Sequence, residues 1–288
     1  MKFYLLDVFA ERKYQGNQLA VLIPEREISP TEMQQIAREI NFSETAFIMS
    51  DKQPNGGYDV RIFTPDVEVP FAGHPTLGTA FVIGKVLEQG MGEQVLLNLQ
   101  VGQIPVKIQG NELTMEQKQP SFGEIIGDVG QVAQVLQIAE SDIDTRYPIQ
   151  VVSTGLPSFI VPLKTADAVR RCCLHHDRFQ YFITHTGKAN LLVFAPQSNS
   201  EDLELRVRVY TDDTGFFEDP ATGSANGNLA GYLLQHNFFA KNKLHYRVRQ
   251  GYEMGRPSLL QIKAEKINET FRIQVGGKVF LIATGEWL

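Results

Sequence analysis

Arg61-Ile62-Phe63-Thr64-Pro65 followed by Phe71-Ala72-Gly73-His74-Pro75-Thr76-Leu77-Gly78, and Arg208-Val209-Tyr210-Thr211-Asp212 followed by Asp219-Pro220-Ala221-Thr222-Gly223-Ser224-Ala225-Asn226, decide the fold. Each pair is a β-rich run that opens with arginine, then a glycine-rich stretch. Each glycine-rich stretch leads into an apolar segment that reads as a buried helix: Thr79-Ala80-Phe81-Val82-Ile83-Gly84 in one, Leu229-Ala230-Gly231-Tyr232-Leu233-Leu234 in the other. With one residue inserted, the two sets lie roughly 148 positions apart, the mark of an internal repeat. A duplicated strand–loop–helix unit supplies two helix N-termini. Each carries free N–H groups and the positive end of a dipole, so each can seat an anion.

A chain of 288 residues exceeds one typical domain and suits two. Its hydrophobic content of 43% and charged content of 21% place it among ordinary globular proteins. The net charge of −6 argues against a nucleic-acid partner, which demands a basic face. No apolar run reaches the length of a membrane span, so no membrane partner is expected, and Met1-Lys2-Phe3-Tyr4 reads as the start of a strand rather than a signal peptide. The two cysteines, Cys172 and Cys173, are adjacent, so no disulfide framework is expected and a cytoplasmic setting is the default.

Strand patterns predict β-structure at 3–9, 19–23, 45–49, 58–63, 95–99, 104–108 and 112–115. Ser29-Pro30-Thr31-Glu32 predicts a helix start, with Ser29 as N-cap and Pro30 at the first position. The pattern lapses at Lys118-Gln119-Pro120-Ser121-Phe122-Gly123, the best linker candidate, which divides the chain into 1–118 and 119–288. The last strand, about 279–288, is free to pack back onto the first half. The second half predicts helices at 129–136 and 166–171. Its strands fall at 150–153, 159–162, 181–184, 190–195, 203–210, 244–249, 258–265, 270–276 and 278–283. Strands dominate without strict β-α-β alternation, which points to α+β: two similar domains, each a curved mixed sheet wrapped around a central helix.

Neither glycine-rich segment is a nucleotide loop, since Thr79 stands where a phosphate loop needs lysine and neither has the three-glycine dinucleotide fingerprint. His74 sits at a helix start, where the dipole favours the neutral ring. Glu44, in Asn41-Phe42-Ser43-Glu44-Thr45-Ala46-Phe47, precedes an apolar run whose desolvation would raise its pKa toward the range useful for proton transfer. The bland reading is a capping or salt-bridged carboxylate. Asp219 has a bland reading too, as a helix N-cap. Asp212, Asp213 and Glu218 form an acidic turn without the order of a calcium loop. Cys172-Cys173-Leu174-His175-His176 would spread over different faces of one helix, so no metal site is expected.

These residues converge on a family. The chain resembles the phenazine-biosynthesis PhzF-like proteins, and more remotely the diaminopimelate epimerase fold. The likeness rests on Asp7-Val8-Phe9 with Gly16-Asn17-Gln18-Leu19-Ala20-Val21, on Ser43-Glu44-Thr45-Ala46-Phe47 and on Gly73-His74-Pro75-Thr76-Leu77-Gly78. It continues through Asp219-Pro220-Ala221-Thr222-Gly223-Ser224 and Gln250-Gly251-Tyr252-Glu253-Met254-Gly255-Arg256-Pro257-Ser258, and so covers essentially the whole chain. The resemblance implies two pseudo-symmetric α+β domains with the active site between them, usually in a homodimer. It implies Glu44 as the proton-shuttling acid/base, assisted by His74 and Asp219, with Asn17, Ser43, Gly73, Gly223 and Ser224 on the substrate. Gln18 departs from the proline often found there, and Ala72 from the cysteine many members carry.

The second departure bears on chemistry. Epimerases of the diaminopimelate type use one thiol at each helix start, and the equivalent positions, Ala72 and Pro220, carry no ionisable group. A single carboxylate with a helper histidine suits a suprafacial proton shift, in which one group takes a proton from one carbon and returns it to another. The expectation is a cofactor-free biosynthetic isomerase acting on a small, cyclic or unsaturated carboxylic acid. The family's defined case isomerises trans-2,3-dihydro-3-hydroxyanthranilate. The alternatives are a racemase or epimerase using Glu44 and His74, or a non-catalytic protein that binds small carboxylates or a partner.

Overall fold

Two helices that are buried on every side set the architecture, because each must be enclosed by strands. The computed structural model describes residues 1–90, 92–197, 203–213 and 216–288. The chain forms two units, Met1–Glu116 with Gly276–Leu288, and Gln117–Val275.

In the first unit, β1 (Lys2–Val8) pairs antiparallel with β2 (Asn17–Ile23), placing Val8 opposite Asn17. Helix α1 (Pro30–Ile40) starts as its sequence predicts: the Ser29 hydroxyl accepts from the Glu32 N–H, Pro30 opens the helix, and Asn41 ends it at φ 56°. Its buried residues Met33, Ile36 and Ala37 join Leu22, Phe47 and Phe63 in one cluster. The crossover makes β3 (Thr45–Ile48) parallel to β2. Then β4 (Gly57–Phe63) runs antiparallel to β3 and to the two-residue β5 (Glu68–Val69).

Helix α2 (Gly73–Val82) is buried along its whole length and relaxes into a π-turn at Ile83–Leu87. β6 (Gln94–Leu99) lies parallel to β4, and β7 (Gly102–Gln109) and β8 (Glu112–Glu116) follow antiparallel. The chain's last strand (Thr270–Glu286) pairs with β8 and with β1. Eight strands thus close around α2 and leave no open edge in the ring.

The second unit repeats the scheme. β9 (Ser121–Ile126) precedes α3 (Val129–Leu136), β10 (Ile149–Ser153), β11 (Pro157–Pro162), α4 (Ala166–Arg171) and α5 (His176–Thr186). There follow β12 (Asn190–Pro196), β13 (Glu204–Asp213), β14 (Phe216–Asp219) and α6 (Gly223–Gln235), then β15 (Lys243–Gln250), β16 (Ser258–Ile267) and β17 (Thr270–Glu286). The pairings β10–β11 antiparallel, β11–β12 parallel, β12–β13 and β13–β14 antiparallel, β13–β15 parallel and β15–β16 antiparallel reproduce those of β1 to β7 in order. The internal repeat is therefore a repeat of pairing. Helix α6 is buried from Gly223 to Leu234 and packs on β10, β11 and β16.

Four local expectations are corrected. Residues 181–184, β-prone in composition, lie within α5. Phe179, Phe182 and Ile183 recur at helical spacing and bury one face, with the Phe182 ring 4.8 Å from Phe159. The lapse at 118–123 is only partly a linker, because β9 begins at Ser121 and pairs with β10. Gly276-Gly277 does not break the final strand: a Cβ on Gly276 would lie 2.6 Å from the Leu113 carbonyl oxygen, so a passing backbone demands glycine there. Finally, residues 172–175 link α4 to α5 instead of continuing one helix.

Candidate active site

The tip of α2 begins with backbone. Its N-cap is Ala72, no side chain caps it, and Pro75 in its first turn has no N–H. The Thr76 hydroxyl turns back to the Ala72 carbonyl at 2.7 Å. The leading N–H groups of α2 therefore have neither an intrahelical acceptor nor a side-chain cap, which suits an anion.

Beside this tip the first unit gathers Asn17, Glu44 and His74. Asn17 opens β2 and is 1% exposed, whereas Glu44 immediately precedes β3 and keeps 20% of its side chain exposed. His74 is 4% exposed, and its Nε2 lies 3.2 Å from the Gln18 carbonyl oxygen and 3.5 Å from Glu44 Oε2. Its Nδ1 lies 3.2 Å from Asn17 Nδ2. Burial pushes the His74 pKa down to about 3, so the ring is neutral at any ordinary pH. The sequence points to a neutral ring through the helix dipole, whereas in the structure the cause is desolvation by burial, opposed by the hydrogen bond to the Gln18 carbonyl.

The partners fix the tautomer. Nε2 faces two acceptors, a carbonyl and a carboxylate, so it carries the hydrogen. Ser43, half-buried, sits next to Glu44, and Gly73 is buried next to His74. The Gln18 departure leaves the contact intact, because only its carbonyl is used while its side chain is exposed.

In the second unit Asp219 closes β14 and does not cap the helix, as Thr222 holds the N-cap position of α6. The Thr222 hydroxyl donates to Asp219 Oδ2 at 2.5 Å. Gln250, fully buried, braces the turn: its Nε2 donates to the Asp219 carbonyl at 2.7 Å and to Thr222 Oγ1 at 3.0 Å, and its Oε1 accepts from Asn226 Nδ2 at 2.9 Å. Gly251 follows at φ +75°, where a Cβ would lie 2.6 Å from the Pro220 carbonyl oxygen. Helix α6 also lacks a side-chain cap, and Gly223 and Ser224 form its buried first turn.

The same brace anchors both loops from behind. Arg61 Nε and Nη2 donate to the two oxygens of Glu68 at 2.8 and 2.6 Å, and Arg208 makes the same fork to Glu218 at 2.8 and 2.7 Å. Each glutamate lies five residues before the first helical glycine, Gly73 or Gly223. The opening arginines are a repeated feature of the sequence, and the five-residue spacing from Glu68 to Gly73 and from Glu218 to Gly223 is the signal for their acceptors. Gln250 carries no local signal of its bracing role.

The structure thus brings Asn17, Glu44 and His74 together in the first unit, flanked by Ser43 and Gly73. Asp219, Gly223 and Ser224 share the second loop. Ala72 and Pro220 offer no acid or base. Cys172 is buried among the residues around α3 and α5, where desolvation pushes its thiol up to about 12. No group of residues fit to hold a metal ion occurs among the described residues, and no helix among them is long and apolar enough to cross a membrane. In the acidic turn Asp212 pairs with Lys188 at 3.1 Å, whereas the Asp213 side chain lies outside the described residues.

A family model described as phenazine biosynthesis-like protein matches residues 6–285. The chain is 36% identical over 293 residues to an uncharacterized isomerase of Pasteurella multocida, covering 99% of this chain and 93% of that protein. It is 33% identical over 282 residues to the trans-2,3-dihydro-3-hydroxyanthranilate isomerase of Pseudomonas fluorescens, covering 96% and 95%. A crystal structure of the Bacillus anthracis phenazine biosynthesis protein of the PhzF family superposes with a TM-score of 0.88 at 24% identity, over 100% of this chain and 99% of that one.

Proposed function

The chain belongs to the phenazine biosynthesis-like family, and from that premise we propose that it is a cofactor-free isomerase that moves a proton on a small, cyclic or unsaturated carboxylic acid. Glu44 acts first as base. It takes a proton from one carbon, the C–H electron pair enters the conjugated system, and the same carboxyl returns the proton to another carbon, so no atom is gained or lost. The observation that carries this reading is the neutral His74 ring, whose Nε2 meets the Gln18 carbonyl and lies 3.5 Å from Glu44 Oε2. A neutral donor lowers the energy of the carboxylate without taking its proton, so the two groups do not compete as bases.

Asp219 serves as a second polar catalytic group, oriented by Thr222. In the first unit Gly73 at the uncapped start of α2, and in the second Gly223 and Ser224 at the uncapped start of α6, are groups suited to bind a carboxylate. The absence of thiols at Ala72 and Pro220 favours this single-carboxylate shift over two-thiol epimerisation.

The test follows trans-2,3-dihydro-3-hydroxyanthranilate by NMR in D₂O. Wild type should consume it with deuterium incorporated into the product, and Glu44→Gln should lower turnover by about 10²-fold or more. Undiminished turnover by Glu44→Gln sinks the assignment of the base. Absence of turnover by wild type removes this substrate.

A further inference from the structure

We propose that Asn17 is a positioning residue that, together with the Gln18 carbonyl, locks His74 in the Nε2–H tautomer and so keeps it beside Glu44 as a neutral N–H group rather than a second base. The inference rests on the isomerase reading and deepens it. It reassigns Asn17 from contact with substrate to control of a side chain that meets it.

The argument starts from the ladder. Asn17 begins β2 opposite Val8, a strand position that sets where its side chain can reach, and at 1% exposure its carboxamide is closed off from water. Its Nδ2 stands 3.2 Å from His74 Nδ1. On the far side of the ring, Nε2 faces the Gln18 carbonyl oxygen at 3.2 Å and Glu44 Oε2 at 3.5 Å, neither of which can donate when Glu44 is ionised. A neutral imidazole carries one hydrogen. With that hydrogen on Nε2, Nδ1 has only a lone pair to offer, and the amide of Asn17 is the donor that meets it. Turning the carboxamide round would bring its oxygen against that lone pair, and moving the ring hydrogen to Nδ1 would set the Nε2 lone pair against the oxygens of Gln18 and Glu44. The whole set Asn17–His74–Glu44 therefore has one consistent arrangement of hydrogens.

That arrangement decides between a one-base and a two-base enzyme. A ring whose outer nitrogen already bears hydrogen cannot abstract a proton from carbon there. Glu44 is left as the acceptor, and a shift within one face of the substrate follows, not inversion by two opposed bases.

The experiment is ¹⁵N NMR of the full-length protein with ¹⁵N-labelled histidine, in which His74→Gln identifies the His74 signals among the 6 histidines. Wild type should show a bare Nδ1 and a protonated Nε2 at pH 7. Asn17→Asp sets an acceptor against Nδ1 and should turn the ring into an imidazolium with both nitrogens protonated. Asn17→Ala should give mixed tautomers, with kcat lower by about tenfold or more, KM within about twofold, and a displaced pH profile.

A wild-type ring with hydrogen on Nδ1, or an Asn17→Ala ring still wholly in the Nε2–H form, overturns the proposal. The spectrum of wild type decides the matter even where a variant does not fold. It also needs no substrate, so a correct tautomer with undiminished turnover by Glu44→Gln would remove the single-carboxylate reading and leave the lock standing. Turnover with the opposite tautomer would do the reverse.

Discussion

His74 is a base that its surroundings forbid from being protonated, and that has a measurable thermodynamic cost. Its pKa falls from the ordinary 6.5 to about 3 because the ring is buried. The unfolded chain therefore binds a proton that the native protein refuses across that whole interval. Above about pH 6.5 both states carry the neutral ring and nothing is lost. As pH falls from there toward about 3, the unfolded state gains the proton and stability drops, by up to about 1.4 kcal/mol per pH unit from this residue alone. His74→Gln should remove that slope. Urea unfolding of both proteins at intervals between pH 7 and 4 measures it, with the carboxylates common to both cancelling in the difference. Parallel curves for the two proteins would mean that the native ring does accept the proton.

At the scale of elements, the two arginine braces share geometry but not surroundings. Arg61 and Glu68 keep 29% and 22% of their side chains exposed, against 9% and 14% for Arg208 and Glu218. Arg208 also donates through Nη1 to the Arg170 and Cys172 carbonyls at the end of α4. Arg208→Met should thus strand a buried carboxylate and bare carbonyls, costing about 3–5 kcal/mol, while Arg61→Met costs about 1 kcal/mol, both read by urea denaturation. Equal losses would show that solvent exposure does not separate the two.

The same contrast explains what was legible beforehand. The Ser29-Pro30 start of α1 and the unbroken apolar helices α2 and α6 are local signals, and they could be read. The strand order and the run of β17 through Gly276-Gly277 depend on partners distant in sequence and could not, while at 181–184 β-prone composition masked the helical spacing of Phe179, Phe182 and Ile183. Glu44 and His74 stood out as residue types in unusual settings. The tautomer did not, because it is fixed by a carbonyl and an amide brought in by β2.

At the scale of the molecule, one strand closes the first ring: residues 276–286 of β17 lie between β8 and β1. Trp287, the chain's one tryptophan, reports on that closure, since its ring lies 5.9 Å from Phe3 and its backbone N–H donates to the Met1 carbonyl at 2.9 Å. Gly276→Ala drives a methyl group into the backbone at Leu113 and should destabilise by about 1–3 kcal/mol, with the tryptophan fluorescence transition moving to lower urea. An unmoved transition would mean that β8 yields without cost. A ring closed by its most distant segment also carries a burden during synthesis. Residues 1–116 leave the ribosome first, yet β1 and β8 wait with unpaired edges while all of Gln117–Val275 is translated, on the order of ten seconds at ~5–20 residues per second. Of these two units, the one whose strands begin first is completed last.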